Sequence, residues 1–274
     1  MPECSYLMAL TFAGEISAYP LVYSPQFLLE RSVFRICRSL SSQPTNINNI
    51  SMIVSLINSI IKGVQRASLS RERIVFYPEI CAKLLQACER VVMVDRIRGD
   101  CVQTLEDLLN RFDHLAQLLV IKRLIWQIKH NVVRYNLESQ VLAWLVDLYR
   151  RRLDQSEVFQ KELGFMWGLL SEFHYESLQQ SSHFHAAVLV LARYQALKRM
   201  NKSLLEEVVK SILLPFKAQL ADWAQLEEIS SKNDRTKLDE QTNITDLADR
   251  FDALPFLQFL YLQTWESVCA FVEH

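Results

Sequence analysis

Residues 121–153 read IKRLIWQIKHNVVRYNLESQVLAWLVDLYRRRL. The stretch has no glycine and no proline, and apolar residues return every third or fourth position. That spacing is the helical period. Ile121, Ile125, Ile128, Val132 and Tyr135 fall on one stripe. Beyond Asn136, a candidate N-cap, two ridges follow: Leu137-Val141-Trp144-Leu148 and Leu142-Val146-Tyr149-Leu153. Only Gln140, Ala143, Asp147 and Arg151 are left for water, so the second half is expected to be an interior helix covered on both flanks.

The same period extends in both directions. Ser24-Pro25 suits a helix start, with proline at the first helical position. Leu29, Val33, Ile36 and Leu40 form a stripe, as do Ile50, Ile53, Ile57, Ile60 and Val64. Pro78 opens a segment through Ile80, Leu84, Cys88 and Val91, which Gly99-Asp100 is expected to end. Leu105, Leu109, Phe112, Ala116 and Leu119 then read as one stripe leading into residue 121. Downstream, Asp154 and Glu157 suit a cap before Val158, Leu163, Met166, Leu170 and Phe173. Ser203-Leu204-Leu205-Glu206 has capping-box spacing, and Pro215 is expected to kink or end its helix.

Composition agrees with this pattern. Half of the 274 residues are hydrophobic and 22% are charged, a balance that supports a folded core. Five glycines and seven prolines compare with roughly 19 and 14 at average usage. Glycine supplies the positive φ of tight turns and phosphate loops, so its scarcity argues against β-rich and nucleotide-loop folds. The expected fold is all-α, an irregular HEAT- or armadillo-like solenoid of roughly ten or eleven helices. A compact helical bundle is the alternative. Residues 1–23 have no clear structure, 24–229 form the helical-repeat domain, and 230–243, SSKNDRTKLDEQTN, read as a polar linker. Residues 244–274 are C-terminal helices packed on the domain or on a partner.

Charge is polarised along the chain. Residues 1–153 carry 19 Lys+Arg against 13 Asp+Glu, and residues 154–274 carry 11 against 18. The six cysteines lack the short paired spacing of zinc or redox sites, and Cys81 and Cys88 read as small buried hydrophobes. The N-terminus makes a poor signal peptide, and no apolar run reaches the ~18 residues of a membrane span. A cytosolic or nuclear location without membrane attachment is the expectation.

No sequence constellation carries catalysis. HExxH, GxSxG, GxxxxGK[ST] and GxGxxG are missing, and adjacent pairs such as Glu206-Glu207 spread around a helix instead of facing one cavity. The expectation is a non-enzymatic protein without cofactor or metal. Gly164 and Gly168, four apart, suggest a tight helix crossing that Gly→Leu would damage. Leu105–Leu109 and Leu115–Leu119 fit LxxLL, but the same leucines suit a core stripe.

Two surfaces stand out. Lys122, Arg123, Trp126, Lys129 and Arg134, with Arg150 and Arg151, form a candidate surface for a partner or acidic ligand. Asp147 offers the two arginines an ion pair at three and four residues. Near the C-terminus, Phe256, Phe259, Leu260, Trp265 and Phe271 form a candidate interface, since an apolar terminal helix has to be covered by the domain or by another protein. The functional expectation is a scaffold or adaptor, a subunit of a larger complex that works through protein–protein binding. The alternative is a nucleic-acid-associated protein using the basic N-terminal half.

Overall fold

Isoleucine and serine are mediocre helix formers, yet residues 47–62 are helical because Ile50, Ile53, Val54, Ile57, Ile60 and Ile61 bury one face. The same balance of modest propensity and strong burial recurs throughout the computed structural model, which describes residues 25–42, 47–90, 95–130, 132, 138–175, 178–234 and 253–273. The fold is all-α. Among the described residues no strand forms, and extended pairing is limited to a bridge between Leu69 and Phe112. The expected segment 1–23 and most of the expected linker 230–243 lie outside the described residues, as do Asn136 and Arg134.

The chain divides into two units, Met1–Asn136 and Leu137–His274. The first contains α1 (Pro25–Ser42), α2 (Ile47–Lys62), a 3-10 turn (Arg71–Phe76), α3 (Tyr77–Arg90), α4 (Asp95–Leu109) and α5 (His114–Lys129). Its main helix contacts are α1 with α2, α3 with α4, α1 with α3, and α2 with α4. That is the pairing of two stacked hairpins, first helix on first and second on second, as in helical repeats. In an up-down-up-down bundle α2 would sit beside α3. Leu29, Ile36, Ile50, Ile57, Leu84, Leu105 and Leu108 fill the seams, each contributing about 1.5–3 kcal/mol by burial. Asn58 donates to the Thr104 hydroxyl at 2.8 Å, tying α2 to α4.

Two local expectations fail in this unit. α4 runs through Gly99 and Asp100 without a break. Gly99 is solvent-exposed, with no atom near the position of an added Cβ, so the helix tolerates it at a cost of about 1 kcal/mol. The stripe from Leu105 to Leu119 is also interrupted. The Leu69 amide donates to the Arg111 carbonyl (2.9 Å) and the Asp113 amide to the Leu69 carbonyl (2.9 Å), which bends the chain at residues 110–113. Asp113 then caps α5, its carboxylate accepting from the Ala116 amide at 2.7 Å.

The second unit contains α6 (Glu138–Leu153), α7 (Glu157–Lys161), α8 (Leu163–Leu170), α9 (Leu178–Leu197), α10 (Lys202–Val208), a π-helical turn (Val209–Leu213), α11 (Leu214–Asp234) and α12 (Ala253–Val272). α9 is central, packing on α6, α10 and α12. Most of both apolar ridges of α6 is buried, while Arg151 is exposed and Gln140, Ala143 and Asp147 are partly covered. Several buried polar groups are satisfied across elements, whereas among the described residues the Trp144 indole N–H, His185 Nε2 and the Tyr261 hydroxyl have no hydrogen-bond partner. The Tyr149 hydroxyl donates to the Phe159 carbonyl at 2.6 Å, and the Trp167 indole donates to Gln195 at 2.8 Å. Gln195 in turn donates to the carbonyls of Met200 and Asn201.

Caps in this unit differ from expectation as well. Ser156 caps α7, accepting from the Val158 amide at 3.3 Å. The helix expected from Val158 to Phe173 breaks at Glu162. Asn201 caps α10, taking the left-handed conformation (φ 46°, ψ 78°) and accepting from the Leu204 amide. Asparagine tolerates that backbone better than serine, so it displaces Ser203 from the role. The π turn sits just before Pro215, and the helix continues past it to Asp234, since a widened turn accommodates a residue that lacks an N–H. Residues 230–234 of the expected linker therefore belong to α11.

Gly164 and Gly168 do not make a close crossing. Both are exposed. A Cβ at Gly164 would meet only the Leu204 side chain at 3.6 Å, and one at Gly168 would meet nothing within 4 Å. Leu163, Met166, Trp167, Leu169 and Leu170 bury the opposite side of α8 instead.

Candidate functional site

α5 turns Ala116, Val120, Ile121, Leu124, Ile125 and Ile128 inward. The outward side at spacings of four, four, three and four is Leu115, Leu119, Arg123, Trp126 and His130, all exposed. These five make one continuous line along the helix. Leu119, expected in the core stripe, is 39% exposed. Of the two LxxLL segments, the first is buried at its leucines, whereas the second shows Leu115 and Leu119 and hides Leu118.

At the C-terminal end of this line, the Arg123 guanidinium lies over the Trp126 ring, 4.4 Å from its centre. The His130 ring lies 4.5 Å from the same indole, tilted by 49°. A guanidinium over an indole is an attractive geometry, stronger for tryptophan than for other aromatics. Trp126 thus stands at the surface, 37% exposed, between a cation and an imidazole. Lys122 and Lys129 flank it, partly covered.

Arg150 and Arg151 stand on α6, in the other unit, and are both held by Asp147. Arg150 pairs with it at 2.7 Å and Arg151 at 3.1 Å. Arg150 also lies 5.5 Å from the centre of the Tyr194 ring. A hydrogen bond from Tyr194, then one from Lys198, holds the Asp154 carboxyl below the usual carboxylate range. These side chains form a surface network on α6 and α9, in which the two arginines already have acidic company.

α12 divides its residues sharply. Leu254, Leu257, Leu260, Tyr261, Thr264 and Val268 face inward and are buried. Phe256, Phe259 and Leu262, three residues apart, face outward and are 56%, 59% and 59% exposed. Of the five residues singled out by sequence, Leu260 belongs to the buried side, Trp265 and Phe271 are half-buried, and only Phe256 and Phe259 are open. Leu262 completes the outer line. Its spacing from Phe259 is visible in the sequence, but its exposure depends on how α9 seats α12.

His185, Cys37, Cys81 and Cys88 are held in their neutral forms, while the hydrogen bond with Cys88 lowers Cys101. His185 is stacked on Phe216 (4.4 Å, 25°) and rimmed by Phe184, Tyr175 and Trp223. Burial lowers its pKa to about 4, so the ring is neutral at pH 7. Burial pushes the Cys37 thiol up to about 12 and raises Cys81 as well. A hydrogen bond with Cys101 raises Cys88. Buried, proton-retaining thiols are poor nucleophiles. Among the described residues, no three His, Cys, Asp or Glu side chains gather as a metal site. Among them, too, no helix is long and apolar enough to cross a membrane.

Comparison with known proteins adds no family: the chain matches no protein-family model, and no curated protein matches it significantly.

Proposed function

We propose that this protein is a non-enzymatic helical scaffold or adaptor, a subunit of a larger assembly that acts through protein–protein binding in the cytosol or nucleus. The outer line of α12 carries this reading. Its inner face is already buried in the second unit, so Phe256, Phe259 and Leu262 are not needed to close the core. Aromatic residues concentrate binding energy at interface centres. Covering the exposed part of such side chains contributes about 1–2 kcal/mol each, a gain that a partner can supply and water cannot. An apolar line on a rigid helix is a ready docking ridge for a complementary groove.

The test is affinity purification with mass spectrometry, comparing wild type with the Phe256→Asp, Phe259→Asp double variant. The reading expects a stoichiometric companion with wild type and its loss with the variant, at unchanged helical content and melting temperature. Identical companions in both samples would refute it.

A further inference from the structure

We propose that the outer face of α5 is a second docking surface, and that its ligand is an acidic amphipathic helix of a partner protein. The proposal deepens the binding role argued above but uses a different unit and different residues. The face has two chemistries in sequence along about 22 Å of helix, from Leu115 to His130. Leu115 and Leu119 supply an exposed apolar end. Arg123, Trp126 and His130 supply a cationic-aromatic end.

The Arg123–Trp126 stack decides the ligand's character. The Arg123 guanidinium carbon sits 4.4 Å from the indole centre, and the N–H donors directed away from the ring are available to a planar acceptor. A carboxylate fits such a fork at two points. Stacking also restrains the long side chain, so less freedom is lost when a carboxylate arrives. Among the described residues Arg123 has no ion pair of its own, in contrast to Arg150 and Arg151, which share Asp147. The unit around it is basic, with 16 Lys+Arg and 11 Asp+Glu in residues 1–136.

A nucleic-acid strand fits less well. With a guanidinium and an imidazole already against Trp126, a base would have to displace one of them to stack. Leu119 and Leu115, two and three turns from Trp126 on the same line, have no role under a phosphate backbone. They do suit the leucine or phenylalanine ridge of an amphipathic helix whose flanking carboxylates reach Arg123.

The test is selection of a displayed library of random 15-residue peptides on the immobilised full chain. Wild type and the Arg123→Glu, Trp126→Ala and Leu119→Asp variants are compared, with circular dichroism melts showing that each variant is folded. Enriched peptides should combine Asp or Glu with Leu, Ile or Phe at helical spacing. A synthetic copy of one should bind wild type at least tenfold more tightly than it binds Arg123→Glu, or than its own Glu→Gln counterpart binds wild type. Phe259→Asp should bind it as wild type does, so this proposal and the α12 reading fail separately. It is overturned by no acidic enrichment, by equal binding by Arg123→Glu, or by tighter binding of single-stranded oligonucleotide that Arg123→Glu abolishes. Self-association of the chain that is lost in Arg123→Glu would assign the face to a second copy, and would overturn it too.

Discussion

The Arg123 guanidinium rests 4.4 Å from the centre of the Trp126 ring, three residues further along the same helix. The pair lies outside the core, whose α5 contribution is Ala116, Val120, Ile121, Leu124, Ile125 and Ile128. An exposed cation–π contact of this kind contributes about 0.5–1 kcal/mol. Trp126→Ala should therefore cost about 1 kcal/mol in urea unfolding. A loss of about 3–5 kcal/mol, the size seen for buried tryptophans, would mean that Trp126 is packed internally and α5 offers no such face.

The cap of α10 gives a sharper local test. Asn201 adopts φ 46° and accepts from the Leu204 amide at 3.1 Å. Asn201→Ala should destabilise the second unit by about 1–2 kcal/mol, combining the lost cap with a backbone alanine disfavours. Asn201→Gly should cost only a few tenths, because glycine accepts that backbone. Ser203→Ala, at the position expected from sequence to be the cap, should be nearly neutral. Equal costs for Asn201→Ala and Ser203→Ala in thermal melts would contradict the structure.

Glycine substitutions test the exposed side of α8. Nothing lies within 4 Å of a Cβ at Gly168, and likewise at Gly99 in α4. Each glycine sits inside a helix, so alanine should stabilise by about 0.5–1 kcal/mol. Destabilisation of Gly168→Ala by more than that, measured by chemical denaturation, would restore the close helix crossing that the sequence suggested.

The neutral, buried His185 makes stability depend on pH. Its pKa is about 4 in the fold against about 6.5 unfolded. Between those values the unfolded chain binds the extra proton, so stability rises with pH across this window and is lost as pH falls. The contribution present above pH 6.5 and lost by pH 4 is about 3 kcal/mol. His185→Phe, which can stack on Phe216 and needs no proton, should unfold less steeply over that range while matching wild type at pH 7.5 within about 1 kcal/mol. An unchanged acid slope in the variant would show that other groups govern it.

Much of this architecture is legible in the sequence because burial follows the helical period. Ile50, Ile53, Ile57 and Ile60 announce both α2 and its buried face, and Val146 and Tyr149 do so for α6. What escapes is set by contacts distant in sequence. Phe112 and Ala116 stay in phase with Leu105 and Leu109, so the bend at Asp113 is invisible until Leu69 pairs beside it. Gly99 looks like a terminator because its exposure depends on where α4 packs. The two candidate surfaces are partly legible for the same reason. Trp126 among cations is evident in the sequence, but its ring contacts with Arg123 and His130 are not. In α12, Phe259 and Leu260 look alike in sequence, yet the seat on α9 exposes one and buries the other.

On the proposed function, the outer line of α12 is covered by another protein. The most direct measurement of this is site-specific photocrosslinking in cells, with p-benzoylphenylalanine replacing Phe259 and, as control, replacing the exposed Ser211. One discrete heterologous adduct is expected from position 259, lost when Phe256→Asp is added, and no such adduct from position 211. Absence of any adduct at 259, or the same adducts from both positions, would contradict it.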